Sequence, residues 1–259
     1  MMRKHSVALV IAVSIGLTLG CAGLSQRCAP TQDSERHEIE YGIVKDIEGN
    51  EYRTVTIGTQ EWMAENLKTT TYNDGEEIQN VTGRTEWNRI REGAYVWYGN
   101  DESAGEIFGA LYNSYAVDTG RLCPEGWALP DDDDWDRMLD YLKREHEIEN
   151  EDKPGGAGNA LKSCRQIDSP LGGDCDTREQ PRFNSNDTHY GTDLFGFAAL
   201  PGGYRQSSGV FTGMGEGCLL WNKPGEGSPS RRWITSSQGH ITRFERYPQI
   251  GASVRCIRE

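Results

Sequence analysis

Apolar residues recur along this chain in three patterns. The first is a continuous run from Val7 to Leu19, behind Arg3 and Lys4. The second is a set of short segments broken by turn residues. Ile43, Val44 and Ile47 lead into Glu48-Gly49-Asn50, and Tyr52, Val55 and Ile57 lead into Gly58-Thr59-Gln60, a spacing that predicts a β-hairpin. Asn73-Asp74-Gly75 marks another tight turn. The aromatic run Gly93 to Tyr98 reads as a strand, followed by a turn region from Asn100 to Gly105 and then Tyr112 and Tyr115. Such aromatics pack inward, with a partly exposed stacking surface as the alternative. The third pattern has helical spacing. Trp135, Met138, Leu139 and Leu142 form one stripe, and Asp136, Arg137, Asp140, Lys143 and Arg144 fall on the other face. Asp131 is placed to cap this helix, with Asp134 three residues on as in a capping box. From Lys153 to Phe183 the chain predicts a long loop around one short helix near Leu161, continued by residues 184–187 and then a strand and turn from Gly191 to Arg205.

The leading run is too short to span a bilayer comfortably and has the charged start of an export signal. Gly20-Cys21 closes it in a way that resembles a bacterial lipoprotein signal, which implies cleavage after residue 20 and acylation of Cys21. An ordinary signal peptide, cut after Ala22 or Ala29, is the alternative. By the same resemblance, Ala22 rather than an aspartate after the cysteine implies the outer membrane. Residues 21–41 are polar and read as a tether. The chain carries a formal charge of −13, and loss of Arg3 and Lys4 in a segment without acids makes the mature protein −15. Nucleic acid and anionic lipid are therefore poor partners, and membrane contact is expected through the lipid anchor only.

Ordered motifs extend from there to the C-terminus. They are segment 49–67, which ends in Glu61-Trp62-Met63-Ala64-Glu65-Asn66-Leu67; Tyr112-Asn113-Ser114-Tyr115-Ala116-Val117; Cys123-Pro124-Glu125-Gly126-Trp127 with Leu129-Pro130-Asp131; Ala160-Leu161-Lys162-Ser163; segment 191–205; and Ser253-Val254-Arg255-Cys256-Ile257-Arg258. Together they resemble the Fibrobacter succinogenes major paralogous domain, an exported bacterial domain, over residues 42–259. More distantly, the Cys-Pro-x-Gly-Trp segment, its helix and the closing strand look like the C-type lectin-like and formylglycine-generating-enzyme folds. The expected fold class is α+β: a single lectin-like domain with short antiparallel strands, one main amphipathic helix and long disulfide-tied loops.

Seven cysteines in an exported chain predict oxidised pairs once Cys21 is set aside, although six cysteines allow about fifteen connectivities. The lectin-like resemblance implies Cys123 with Cys256. Cys164 and Cys175 flank one loop and are expected to pair with each other, which leaves Cys28 with Cys218.

Candidate chemistry is sparse. The five histidines are scattered, the four aspartates 131–134 lack the alternation of a calcium loop, and Lys223 follows Trp221-Asn222 where a lectin would need an acid. No metal or cofactor is expected. The redox cysteine pair of the enzyme analogue is missing, and Ser207, Ser208 and His240 read more simply as a turn and a lone imidazole, so a catalyst is not expected. The remaining candidate is a tip in which Tyr204, Arg205, Phe211, Trp221, Arg231, Arg232, Trp233 and Arg243 mix aromatic and guanidinium groups suited to a glycan or protein ligand. The alternative is that Trp221 and Trp233 belong to the core, and a structural envelope protein without a ligand is the competing function.

Overall fold

The computed structural model describes residues 39–163, 183–184, 186–223, 231–245 and 247–259. Its compact unit is Ile39–Glu259. The expected hairpin opens it: β1 (Tyr41–Lys45) pairs antiparallel with β2 (Glu51–Ile57), and β2 with β3 (Gln60–Met63). The first turn is fixed by Asp46, whose Oδ1 accepts the backbone N–H of Glu48 and Asn50 at 3.0 and 2.9 Å. Gly49 supplies the positive φ of 83° that this turn requires. The chain then forms β4 (Gln79–Asn80), α1 (Arg84–Arg89), β5 (Ala94–Val96), α2 (Glu102–Phe108), β6 (Leu111–Tyr112) and α3 (Ser114–Val117).

The turn expected over Asn100 to Gly105 is instead the start of α2, with Asp101 as its N-cap accepting Ser103 N–H at 3.0 Å. Gly105 is unfavourable inside a helix, but any side chain there would collide with the Trp97 ring. Packing overrides propensity at that position.

Next come β7 (Trp127–Ala128), α4 (Asp132–His146) and α5 (Ala157–Leu161). The long helix is the predicted one: both halves of the Asp131/Asp134 capping box are formed, and Trp135, Met138 and Leu142 are buried. Segment 191–205 is mostly a tight loop, with a strand only at β8 (Gly202–Arg205). It is followed by β9 (Phe211–Met214), β10 (Gly217–Trp221), β11 (Arg231–Thr235), β12 (Ile241–Phe244) and β13 (Ile257–Arg258). Three sheets result, with strand orders β1-β2-β3-β13-β7, β12-β11-β10-β8-β9 and β4-β5-β6. Pairing is mainly antiparallel, but β4–β5 and β8–β10 are parallel. The architecture is α+β, rich in strand.

The sequence motifs meet inside. Trp62 of β3, Trp135 of α4 and Phe197 of the tight loop form a ring cluster with centroids 5.1 to 5.9 Å apart. Beside it the buried Arg255 guanidinium donates to Asn66 Oδ1 at 2.7 Å and to the Phe197 and Ala198 carbonyls, so the first, fifth and last motifs share one joint. Lys162 is buried, and its ammonium reaches Asn159 Oδ1, His189 O and Gln238 O at 2.7 to 2.9 Å.

Cys123 and Cys256 are bonded across a sequence separation of 133 residues. The pairing of Cys218 is corrected: it is a free thiol on β10, turned into the cluster of Leu220, Ile234 and Ile241, and burial pushes its pKa up to about 11. Cys21, Cys28, Cys164 and Cys175 lie outside the described residues.

Candidate binding site

Register decides which tip residues meet. Antiparallel pairing sets Gly217 against Thr235, Leu219 against Trp233 and Trp221 against Arg231, then Arg231 against Phe244 and Trp233 against Thr242. Side chains alternate between the two faces of a sheet, so Leu219, Trp221, Arg231, Trp233, Thr242 and Phe244 share one face. Cys218, Leu220, Arg232, Ile234, Ile241 and Arg243 share the other. That second face meets α4, where Arg232 binds Asp132 at 2.6 Å and Arg243 pairs with Asp136. Arg232 and Arg243 are thereby removed from the tip and assigned to helix docking.

The first face is closed over β10 and opens toward β12. Trp221 is 1 % exposed, and its Nε1 donates to Tyr112 O at 2.7 Å, which makes it core and not ligand-facing. Arg205 is likewise corrected to a structural role. Its three nitrogens reach Gly209 O, Val81 O and Thr82 O at 2.6 to 3.1 Å, and its guanidinium lies between the rings of Trp87 and Phe211 at 4.6 and 4.8 Å. Phe211 belongs to that joint, with Tyr98 at 5.2 Å on its other side.

Tyr204, Arg231 and Trp233 do come together. Trp233 is half-buried, and its six-membered ring occupies the space that a side chain at Gly217 would need. Tyr204 meets it edge-on at 5.6 Å with planes at 87°. The Arg231 guanidinium is 5.7 Å from the ring centroids of both Trp221 and Tyr247, and it donates to Glu245 O. Burial holds its pKa below the ordinary arginine value, and the nearby Tyr204 and Tyr247 phenols oppose that shift. Tyr247 and Phe244 complete the rim at 57 % and 43 % exposure. Neither is singled out by the sequence reading. Phe244 could have been found from alternation along β12, whereas Tyr247 sits in irregular chain with no period to mark it.

Two other places compete. A cleft of about 430 Å³ lies over β1 and β2, lined by Ile43, Arg53, Glu65, Glu106 and Ile107 among others. Its carboxylates are already engaged, Glu106 by Lys68 at 2.6 Å and Glu65 by the Arg53 backbone N–H at 2.5 Å. The second is the Asp152 carboxylate, which stands 3.7 Å from His189 and 3.8 Å from His240. It also accepts Gly239 N–H at 2.8 Å and so ties three loops together. Among the described residues no group of three or more His, Cys, Asp or Glu is placed to hold a metal ion. Ser207 and Ser208 carry the turn through Gly209 and accept Asn88 and Arg84 through their carbonyls, while His240 contacts Thr242 and Asp152.

Neither a curated protein nor a solved structure matches the chain. The profile of the Fibrobacter succinogenes major domain matches residues 55–258, which takes in every motif joint described above. The chain therefore belongs to the Fibrobacter succinogenes major domain family.

Proposed function

We propose that this is an exported protein, lipid-anchored through Cys21 to the outer membrane, whose lectin-like domain binds a ligand without catalysis. The binding site is the open face made by Tyr204, Trp233, Phe244 and Tyr247, with the buried Arg231 beneath its rim, and a glycan is the ligand class it suits. The observation that carries this reading is the Tyr204–Trp233 pair: two orthogonal, half-buried rings held in place by the sheet, beside two further exposed rings. Preformed aromatic surface of this kind gives contact area at small entropic cost, and partly wet faces suit sugars. The burial of Trp221 and Arg205 supports the competing reading, an envelope protein with no discrete ligand, because it removes two of the eight tip residues.

A panel of plant and bacterial polysaccharides separates the two readings. Saturable binding by the full chain, weakened about tenfold or more by Trp233→Ala, is the expected result, in line with the loss typical of an aromatic anchor. Tyr204→Ala gives the same direction. Absence of binding to every polysaccharide would leave the envelope reading. Mass analysis of the mature N-terminus tests the anchor: an unmodified terminus removes it.

A further inference from the structure

Beneath the rim of the open face lies one group that a surface for neutral sugars does not need, the Arg231 guanidinium. Other buried arginines of this domain are satisfied by three acceptors or by a carboxylate, although the Arg232 Nε, like that of Arg231, has no acceptor among the described residues. Arg205 and Arg255 each place three nitrogens on acceptors, and Arg232 has the Asp132 carboxylate. Arg231 is 4 % exposed and donates through Nη2 to Glu245 O, but among the described residues its Nε has no acceptor and it has no carboxylate in an ion pair, the titratable groups that bear on it being the Tyr204 and Tyr247 phenols. Among the described residues it is a buried charge without a counter-ion, in a chain whose formal charge is −13. A buried charge is ordinarily paired, because desolvation without a partner is expensive. The ring of Tyr247, itself 57 % exposed, lies 5.7 Å from its guanidinium.

We infer that the face takes an acidic glycan, with the carboxylate of a hexuronate residue seated against Arg231 beside Tyr247 while the sugar rings lie along Trp233 and Tyr204. This rests on the binding face proposed above and narrows its ligand. The planar guanidinium fork matches a carboxylate, and an ion pair shielded by aromatic rings is stronger than the same pair in water. The net negative charge of the domain opposes a polyanion at long range. At about 0.15 M salt the screening length is about 8 Å, so the local positive site governs binding.

The test compares polygalacturonate with the same polymer after chemical reduction of its carboxyl groups, using the full chain by titration calorimetry at that ionic strength. Polygalacturonate should bind at least about tenfold more tightly than the reduced polymer, the size of one charge-assisted contact, and Arg231→Gln should abolish the difference. Equal binding of the two polymers overturns the inference and leaves the aromatic face standing as a neutral-sugar site. Binding to neither, and to no neutral polysaccharide, overturns the face itself. Because the decisive change is made in the ligand, the outcome stands even where Arg231→Gln fails to fold. A preference for polygalacturonate that Arg231→Gln and Tyr247→Ala both leave intact moves the carboxylate elsewhere and also overturns the inference.

Discussion

Lys162 is held where a lysine is expensive. Its ammonium is surrounded by the carbonyls of His189 and Gln238 and by Asn159 Oδ1, and burial lowers its pKa from 10.5 to about 7, against a smaller opposing pull from Asp152. A group whose folded pKa lies below its unfolded value binds fewer protons in the fold, so unfolding takes up protons between the two values and stability rises with pH across that window. The cost is fully present below about pH 7 and is relieved as pH climbs toward 10.5. Lys162→Met deletes the titration, although it also leaves three acceptors unpaired. The expected result is a variant that is less stable throughout and whose urea midpoint lacks the wild-type increase between about pH 7 and about pH 9.5. Parallel profiles in the two proteins would place the charge cost elsewhere. Arg255 and Arg205 are likewise buried planar cations, whose donors satisfy the Phe197 and Ala198 carbonyls in one case and the Val81, Thr82 and Gly209 carbonyls in the other. These three cations give the motifs containing them a role in folding.

At the scale of an element, the run of four aspartates divides into separate duties. Asp131 and Asp134 exchange capping bonds at 2.9 and 3.0 Å, Asp132 Oδ1 receives Arg232 at 2.6 Å and Asn222 at 2.7 Å, and Asp133 is exposed. Asp132→Ala therefore strands a buried guanidinium and should cost about 3 to 5 kcal/mol, while Asp131→Ala removes a cap worth about 1 kcal/mol. Asp133→Ala should shift stability by less than about 0.5 kcal/mol. Denaturant melts of the three variants check the order, and an Asp132→Ala protein as stable as Asp133→Ala would mean that the Arg232 pair contributes nothing net. The cap and the apolar stripe were readable in sequence because both are local and periodic. The Asp132–Arg232 pair was not, since it joins positions 100 residues apart. The same division runs through the candidate site. Tyr204, Arg231 and Trp233 were visible as an aromatic and cationic cluster, but Trp221 could not be told from them, because all five residues of β10 are buried and alternation there carries no inside-outside signal. The Asn100 to Gly105 segment looks like a turn in sequence because Gly105 lowers helix propensity, and the Trp97 ring that requires the glycine lies outside the helix.

For the whole molecule, the Cys123–Cys256 bond ties the segment before β7 and α4 to the last strand, and it closes 133 residues of chain. In the chain-entropy account a loop of that size restricts the unfolded state by about 5 kcal/mol. That is comparable with the whole stability of many domains, about 5 to 15 kcal/mol. The same two cysteines flank packing that does not depend on the bond: Met63 N–H donates to Cys256 O at 2.9 Å, and β13 is paired with both β3 and β7. Reduction should therefore lower the denaturation midpoint steeply while leaving the native fold intact under mild conditions. Cys218 supplies an internal reporter of that distinction. Its thiol is 1 % exposed with a raised pKa, so it resists alkylation in the native state and reacts only on global opening. Peptide mapping after timed alkylation, with and without a reductant, should find Cys218 protected in both native samples. Labelling should rise at a lower denaturant concentration in the reduced one. Prompt labelling of Cys218 after reduction alone would show that the disulfide holds the native packing together, and that the sheet carrying Trp233 and Arg231 depends on it.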